Sequence, residues 1–219
     1  MNRADHRLYV LLDPVAAPRA LLPQLAQQAV QGGATLLQYR DKEADGKMMV
    51  ETAQAILKAL GDTHPPLLIN DRVDVAMISG AQGVHLGQSD ITPEQARALL
   101  GPRALIGRTL KNHDHAERLR HEPVDYATCG GVFGTVHKDN PDQPIGLKGL
   151  KALRDRLRQT LPHLPVGAIA GIDAQNVADV MAQGVDGIAV IGAVLKAQDP
   201  VEAAKALRAA VDDARTHRH

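Results

Sequence analysis

The chain has 219 residues, enough to bury a full core, and its 25 basic residues balance its 25 acidic ones. A balanced charge gives no broad field that would attract a nucleic-acid backbone or an anionic membrane, so any anion must be bound locally. Aromatic residues make up 2% of the chain, Trp is absent, and no apolar run approaches the roughly 20 residues of a membrane-spanning helix. We therefore expect a cytoplasmic protein that binds neither nucleic acid nor membranes.

Short apolar runs alternate with amphipathic stretches along the whole sequence. The predicted strands are 7–13, 34–40, 66–71, 83–87, 104–109, 125–130, 165–171 and 187–192. The helices predicted between and after them include 21–33, 93–101 and 200–214. Eight strand–helix units predict an α/β fold, a single (β/α)8 TIM barrel over residues 1–219, with its active site at the carboxyl ends of the strands. An open, doubly wound sheet is the competing architecture.

Some features do not belong to this alternation of strands and helices. Residues 131–149 are too long and too rich in Gly, Pro and Asn for a tight turn, so we expect a lid or binding loop there. Residues 214–219 are expected to be a disordered tail. Cys129, the single cysteine, lies in an apolar run and is expected to be buried. His113 and His115 are two apart in a predicted helix, which favours solvated side chains over a metal pair.

Polar clusters follow the third and fourth predicted strands. Asn70 and Asp71 end strand three, and Asp90 comes shortly after strand four. Because the carboxyl ends of neighbouring parallel strands share one rim, two hard oxygen ligands would meet there. Such a pair can hold a Mg²⁺ that keeps waters and takes a substrate phosphate. The alternative is that these residues only cap the helices that follow.

The end of strand two offers an amide and two cations. Gln38 and Arg40 are two apart, hence on one face of the strand, and Lys42 follows in the loop. The alternative is a solvated strand end with scattered charges. Further polar residues expected at the same rim are Thr109, which ends strand five, and Thr135 and Lys138 in the long loop. Cations beside carboxylates suit a magnesium diphosphate.

Glycines end the last two predicted strands. Gly171 is the last residue of strand seven and Gly192 is the last residue of strand eight. Backbone amides at these points can hold a phosphate, as in many barrels, although glycine is also an ordinary turn residue. We therefore expect two anion-binding sites on opposite sides of the barrel mouth. The site at strands two to four would need a metal ion, and the site at strands seven and eight would not.

These segments, in this order, resemble the thiamine-phosphate synthase family. The resemblance runs from Tyr9 to about Pro200 and rests on LLQYRDK, LLINDRVDVA, GVHLGQSD, IGRT, GTVHK and AIAGI…GIAVIGA. It implies a magnesium-dependent condensation of hydroxymethylpyrimidine diphosphate with hydroxyethylthiazole phosphate, or its carboxylate, to give thiamine phosphate and diphosphate. The implied partners are small phosphorylated substrates, and a homo-oligomer is left open.

The resemblance also implies a role for individual residues. Asp71 and Asp90 would hold Mg²⁺, while Arg40, Lys42 and Lys138 would stabilise the leaving diphosphate. The implied pyrimidine-diphosphate contacts are Gln38, Tyr39, Arg40, Asp41, Lys42, Asn70, Thr109 and Lys138. The implied thiazole-phosphate contacts are Thr135, Val136, His137, Gly171, Ile191 and Gly192.

The chain departs from the common family pattern at four positions. The family commonly has threonine at His137, serine at Thr109, glycine at Ala170 and serine at Gly192. Thr109 keeps a hydroxyl, and Gly192 keeps a backbone amide.

Two other functions compete with the synthase. A thiazole tautomerase of similar sequence would want a proton-transferring side chain, and His137 could serve. A barrel that binds a phosphorylated ligand without catalysis is the third hypothesis. Asn70, Asp71, Asp90 and Lys138 favour the synthase over the tautomerase, because an isomerase handles no diphosphate. The carboxylate pair also argues against a non-catalytic barrel, which would need only the glycine turns to bind a phosphate.

Overall fold

The computed structural model describes residues 4–134 and 143–217. Within them, eight parallel strands close into a barrel in sequence order, and β8 pairs with β1, which excludes the open sheet. The strands are β1 (Leu8–Leu12), β2 (Leu36–Tyr39), β3 (Leu67–Asn70), β4 (Gly83–Leu86), β5 (Leu105–Leu110), β6 (Tyr126–Gly130), β7 (Val166–Ile169) and β8 (Gly187–Val190). The α-helices are α1 (Leu22–Gln31), α2 (Gly46–Leu60), α3 (Val73–Ser79), α4 (Pro93–Leu100), α5 (His113–Leu119), α6 (Gly146–Thr160), α7 (Val177–Ala182), α8 (Gly192–Leu195) and α9 (Pro200–Thr216).

Strand residues of the barrel are buried on both faces, with Thr109 on β5 the partly exposed exception. One face of each strand fills the barrel and the other packs under the helices, which is why the strands read as nearly continuous apolar runs. Local caps start several of the helices. Asp45 caps α2, Asp199 caps α9, and Thr92 with Gln95 forms a capping box at α4.

The amino-terminal ends of the strands are tied together by a fourfold pattern. The side chain just before each even-numbered strand accepts a hydrogen bond from a backbone amide at the start of the strand that precedes it in sequence. The four bonds run from Leu8 N to Thr35 Oγ1 (3.0 Å), Leu67 N to Gln82 Oε1 (2.8 Å), Ile106 N to Asp125 Oδ2 (2.8 Å) and Val166 N to Asp186 Oδ2 (2.7 Å). This end of the barrel is therefore structural, and the carboxyl ends of the strands are left for a site.

Two predicted segments need correction. Helix α6 begins at Gly146, so the last four residues of the predicted loop 131–149 are helical, and residues 135–142 lie outside the described part. Helix α9 runs to Thr216, so the predicted tail cannot begin at residue 214. Cys129 is buried as expected, and burial raises the pKa of its thiol to about 12. Within residues 4–134 and 143–217, no helix is long and apolar enough to cross a membrane.

The segment before β1 carries a histidine into the barrel. The His6 ring lies edge-on to Tyr9 and Tyr126, and its Nε2 is 3.3 Å from the hydroxyl of Thr128. Burial lowers the pKa of His6 to about 4, although the charges of two nearby carboxylates act in the opposite direction. His6 is therefore neutral in the folded protein near pH 7.

We expect His6 to make the fold less stable in acid. Its pKa rises from about 4 when folded to an ordinary value near 6.5 when unfolded, so the unfolded chain binds more protons between these values. The free energy of unfolding should thus fall as the pH drops from 6.5 to 4, by up to about 3 kcal/mol from this residue. Denaturant unfolding at several pH values should show a flatter dependence in His6→Gln, while His217→Gln, at an exposed position just after α9, should match wild type. Equal slopes in wild type and His6→Gln would contradict this.

Candidate active site

The carboxyl ends of the strands surround a cavity of about 710 Å³, a size that suits a small-molecule substrate. It is lined by residues at or after the carboxyl ends of β2 to β6, by His115 of α5, and by two residues that precede α6. These residues are Arg40, Lys42, Asn70, Asp71, His85, Gly87, Gln88, Ser89, Asp90, Thr109, Lys111, Asn112, His115, Gly130, Gly131, Gln143 and Ile145.

The end of β3 places a carboxylate in the cavity. Asn70 Nδ2 donates to Asp71 Oδ2 (2.7 Å), and the Asp71 amide donates to the carbonyl of His85 on β4 (2.9 Å). Asp71 has a φ of 62°, a left-handed conformation that aspartate tolerates better than most residues. The N-cap of α3 is Arg72, without a side-chain cap bond, so the interpretation of Asp71 as a helix cap is wrong.

A second carboxylate, Asp90, meets the first. Its Oδ2 accepts a hydrogen bond from the Gly87 amide (2.6 Å), while the cap of α4 is Thr92, so Asp90 does not cap that helix either. Burial, together with the hydrogen bond and negative charge of Asp71, raises the pKa of Asp90 to about 6. Two carboxylates this close repel each other unless a proton or a cation lies between them.

Two cations from the end of β2 accompany the carboxylates. The Lys42 ammonium pairs with Asp71 Oδ2, and its side chain is about half exposed. Arg40 is buried and donates through a guanidinium nitrogen to Asp13 Oδ2 at 2.5 Å. Asp13 directly follows β1, so it holds Arg40 in place across the β1–β2 pair. Sequence reasoning missed this role, although Asp13 ends the first predicted strand.

The donor set fits a magnesium ion. Asp71 and Asp90 provide hard carboxylate oxygens, and their mutual repulsion is what a divalent cation would relieve. Among the described residues, no group of three or more His, Cys, Asp or Glu could hold a metal. A cation held by this pair would complete its shell with waters and phosphate oxygens, which is typical of Mg²⁺ at phosphate sites.

Further residues that line the cavity were not predicted. His85 on β4 lies with its Nε2 2.7 Å from Thr109 Oγ1, and Gln88 Nε2 donates to the carbonyl of Thr109 (2.7 Å). His85 could have been predicted from the run GVHLG, because alternate residues of a strand share a face and one of the two faces points into the barrel.

The start of α5 also reaches the cavity, which corrects the expectation that His115 is simply solvated. Its Nδ1 accepts from the backbone amide of Lys111 (3.1 Å), and both residues line the cavity with Asn112. Burial and the nearby charges of Arg118, Arg108 and Lys111 lower the pKa of His115, so its ring is neutral at pH 7. Of these cations, Lys111 lines the cavity and adds positive charge to this side of it.

Three residues predicted at the end of β2 lie away from the cavity lining. Gln38 is buried inside the barrel, where its amide nitrogen donates to the hydroxyl of Tyr9. Tyr39 is on the opposite face of the strand, and its hydroxyl donates to Asp41 Oδ2 (3.0 Å). Asp41 also pairs with Arg19 at 2.8 Å. The side chains of Tyr39 and Asp41 therefore secure the loop after β2 and are not brought to the cavity.

Three of the residues predicted on the thiazole side follow β7 and β8, outside the lining of this cavity. Gly171 has a φ of 65°, and a Cβ there would lie 2.6 Å from the carbonyl oxygen of Gly134. Glycine is thus required at this position by the close approach of the loop after β6. Ile191 and Gly192 mark the start of α8. Thr135, Val136, His137 and Lys138 lie outside the described residues.

The closed barrel, with carboxylates and cations gathered in a cavity at the carboxyl ends of its strands, defines the class as a (β/α)8-barrel enzyme. The family model described as thiamine monophosphate synthase matches residues 8–194. The chain therefore belongs to the thiamine monophosphate synthase family.

Individual relatives agree with this assignment. The chain is 51% identical to the thiamine-phosphate synthase of Agrobacterium fabrum, over 98% of this chain and 97% of that protein. It is 41% identical to the thiamine-phosphate synthase of Azorhizobium caulinodans, over 96% and 97% of the two chains. A solved structure of thiamine phosphate pyrophosphorylase from Pyrococcus furiosus superposes with a TM-score of 0.83 at 33% identity, covering 97% of this chain and 98% of that one.

Proposed function

We propose that this protein is a cytoplasmic, magnesium-dependent thiamine-phosphate synthase. It would join hydroxymethylpyrimidine diphosphate to hydroxyethylthiazole phosphate, or its carboxylate, and release diphosphate. The observation that carries the proposal is the Asp71–Asp90 pair, flanked by Lys42 and Arg40 in one cavity of a chain 51% identical to a thiamine-phosphate synthase.

The reaction needs charge stabilisation more than acid–base chemistry. The bond between the pyrimidine methylene and the diphosphate oxygen breaks, and the electron pair leaves with the diphosphate. The pyrimidine ring and its amino group delocalise the remaining positive charge, and the lone pair of the thiazole nitrogen forms the new carbon–nitrogen bond. No proton has to be removed from that nitrogen, so a general base is not required.

The cationic side chains would act on the departing diphosphate. Arg40 is held rigidly by Asp13, so its other guanidinium N–H groups are preorganised towards the cavity. Lys42 is more exposed and pairs with Asp71, so it can move between that carboxylate and a bound phosphate. Lys138 would be a third donor by its resemblance to the family motif. Preorganised donors of this kind cost no rearrangement when charge develops.

Asp71 and Asp90 would hold the metal. A bound Mg²⁺ would supply positive charge to the diphosphate oxygens. Asn70 would orient Asp71 through its hydrogen bond, and the Gly87 amide would orient Asp90. Thr109, at the edge of the same cavity, would offer its hydroxyl to the pyrimidine diphosphate.

The second substrate would bind across the mouth. By resemblance, Thr135, His137, Gly171 and Gly192 would hold the thiazole phosphate. With one substrate on each side, proximity would supply much of the rate enhancement.

A diphosphate-release assay with each substrate alone and with both together tests the proposal. Release that requires both substrates and stops with EDTA is the expected result. Isomerisation of the thiazole carboxylate without metal would instead identify a tautomerase, and binding without turnover would identify a non-catalytic barrel. Either outcome would overturn the proposal.

We expect binding of Mg²⁺ to weaken in acid. Asp90, whose pKa is raised to about 6, holds a proton below that pH, and the cation must displace it. When Mg²⁺ is titrated in the presence of diphosphate, the apparent affinity of wild type relative to that of Asp90→Asn should be constant above pH 7 and fall about tenfold per pH unit below 6. Asp90→Asn should bind more weakly but lack this added dependence, since the ligands are otherwise identical. The same pH dependence in both proteins would contradict the assignment.

A further inference from the structure

A chain of hydrogen bonds crosses the inside of the barrel beneath the cavity and joins β2 to β5. At one end, Gln38 Nε2 contacts the hydroxyl of Tyr9. The remaining links are Tyr9 Oη to Tyr126 Oη (3.0 Å), Tyr126 Oη to His85 Nδ1 (2.9 Å) and His85 Nε2 to Thr109 Oγ1 (2.7 Å). His85 and Thr109 line the cavity, whereas the two phenols lie below it and have no part in the chemistry proposed above.

The two phenols are held rigidly. Tyr9 and Tyr126 are 1% and 0% exposed, and their rings meet edge-on with centroids 5.9 Å apart. A Cβ at Gly107 would lie 2.0 Å from the ring of Tyr126, so this position in β5 must be glycine for the ring to fit. Burial raises the pKa of both phenols well above the usual value near 10, so each keeps its hydrogen at any working pH.

The hydrogens along this chain must all point the same way, because each hydroxyl and a neutral imidazole have one hydrogen to give. In the outward direction, Gln38 donates to Tyr9, which donates to Tyr126. Tyr126 then donates to His85 Nδ1, and His85 Nε2–H donates to Thr109. In the inward direction, Thr109 donates to His85 Nε2, and Gln38 accepts at the other end.

The two directions present opposite faces of Thr109 to a ligand. In the outward direction the Thr109 oxygen accepts from His85, so its hydrogen is left to donate into the cavity. In the inward direction that hydrogen is used on His85, and the cavity meets only lone pairs of Thr109. An anionic phosphate oxygen accepts hydrogen bonds and is repelled by lone pairs, so it selects the outward direction.

We propose that Tyr126, supported by Tyr9, is a positioning residue that holds His85 as its Nε2–H tautomer and thereby aims the Thr109 hydroxyl hydrogen at the substrate's diphosphate. Gln38 completes the far end of the chain, where its amide nitrogen donates to Tyr9. In the outward direction Gln38 Oε1, which has no hydrogen-bond partner among the described residues, is an acceptor that faces away from Tyr9. The inference rests on the proposed function for the identity of the anion, but its first test does not require turnover.

Nitrogen-15 NMR of histidine-labelled protein reads the tautomer directly. In protein saturated with inorganic diphosphate, His85 should appear as a neutral ring with a protonated Nε2 and an acceptor Nδ1, assigned by the signals lost in His85→Gln. In Tyr126→Phe the donor to Nδ1 is gone, and a mixture of tautomers should appear. Thr128→Val removes another buried hydroxyl from the same strand and should leave the His85 signals unchanged. A protonated Nδ1 in wild type, or an unchanged tautomer in Tyr126→Phe, would overturn the proposal.

A kinetic cycle then tests whether Tyr126 acts through Thr109. Tyr126→Phe should lower kcat/KM for the pyrimidine diphosphate about tenfold, as expected for one misdirected hydrogen bond, and leave KM for the thiazole phosphate unchanged. In a Thr109→Val background the same change should have almost no further effect. Full additivity of the two changes would assign Tyr126 a purely structural role.

A second variant and the NMR measurement cover two possible failures, misfolding of Tyr126→Phe and the absence of turnover in wild type. If Tyr126→Phe does not fold, Tyr9→Phe interrupts the same chain one link further away and should shift the His85 tautomer in the same direction; no shift would overturn the proposal. If wild type releases no diphosphate, the proposed function fails, while the NMR result still tests the polarity of the chain.

Discussion

Asp71→Asn is expected to lower the rate of diphosphate release by at least about a hundredfold. The change removes one charged oxygen ligand from the proposed metal site and keeps the size of the side chain. Asparagine also tolerates the left-handed backbone at this position, where φ is 62°, so the fold should be preserved. Alanine would add backbone strain at this position, so a loss of activity could not be assigned to the missing metal ligand alone. The measurement is single-turnover release at saturating pyrimidine substrate and millimolar Mg²⁺.

The matched control lies three residues away. Asp74 is exposed and pairs with Arg72 at 2.5 Å outside the cavity, so Asp74→Asn removes the same charge from the same region and should keep activity within about twofold. Asp90→Asn should repeat the large loss seen with Asp71→Asn. Turnover near that of wild type in either cavity variant would remove the basis of the metal-site assignment.

Arg40→Gln is expected to reduce both activity and stability. Activity should fall about a hundredfold, because a preorganised donor to the diphosphate is lost. Stability should fall by about 3 kcal/mol, because Asp13, whose side chain is 1% exposed, would be left as a buried charge without its partner. Release assays and denaturant unfolding measure the two effects on the same protein.

A second substitution separates these effects. In Arg40→Gln/Asp13→Asn the uncompensated charge is gone, so most of the lost stability should return while activity stays low. Arg19→Gln breaks a comparable pair, with Asp41, outside the cavity, and should leave the rate within about twofold. Recovery of activity in the double variant would mean that Arg40 serves the fold and does not act on the diphosphate.

The elements of the barrel could be predicted closely because their signals are local. Strand three was predicted at 66–71 and runs from Leu67 to Asn70, and the helix predicted at 93–101 is α4, from Pro93 to Leu100. Apolar runs of strand length and the Thr92–Pro93 start are visible without any tertiary information. The long loop was predicted to end at residue 149, because Gly146 and Gly149 are typical of loops. Both residues lie in the first turn of α6.

The candidate site could be predicted in part. Active sites of such barrels lie at the carboxyl ends of the strands, so the positions of Asn70, Asp71 and Asp90 in the sequence predict that they share one rim. In the structure all three line one cavity. The contributions of Lys111 and His115 could not be predicted in this way. They depend on how α5 docks against the barrel, and short-range sequence spacing does not determine that orientation.

The sequence by itself determined the barrel, the rim that carries the polar side chains and the pair of carboxylates, because these follow from periodicity and from the order of the strands. Only the tertiary structure decided what each polar side chain does. Neighbours in sequence separate, so that Tyr39 secures an outer loop with Asp41 while Gln38 enters the barrel. Distant residues meet, as Asp13 does with Arg40 and Tyr126 with His85. The reason is physical: alternate strand residues face opposite sides of the sheet, and contacts between residues of different strands form only when the strands pair and the barrel closes.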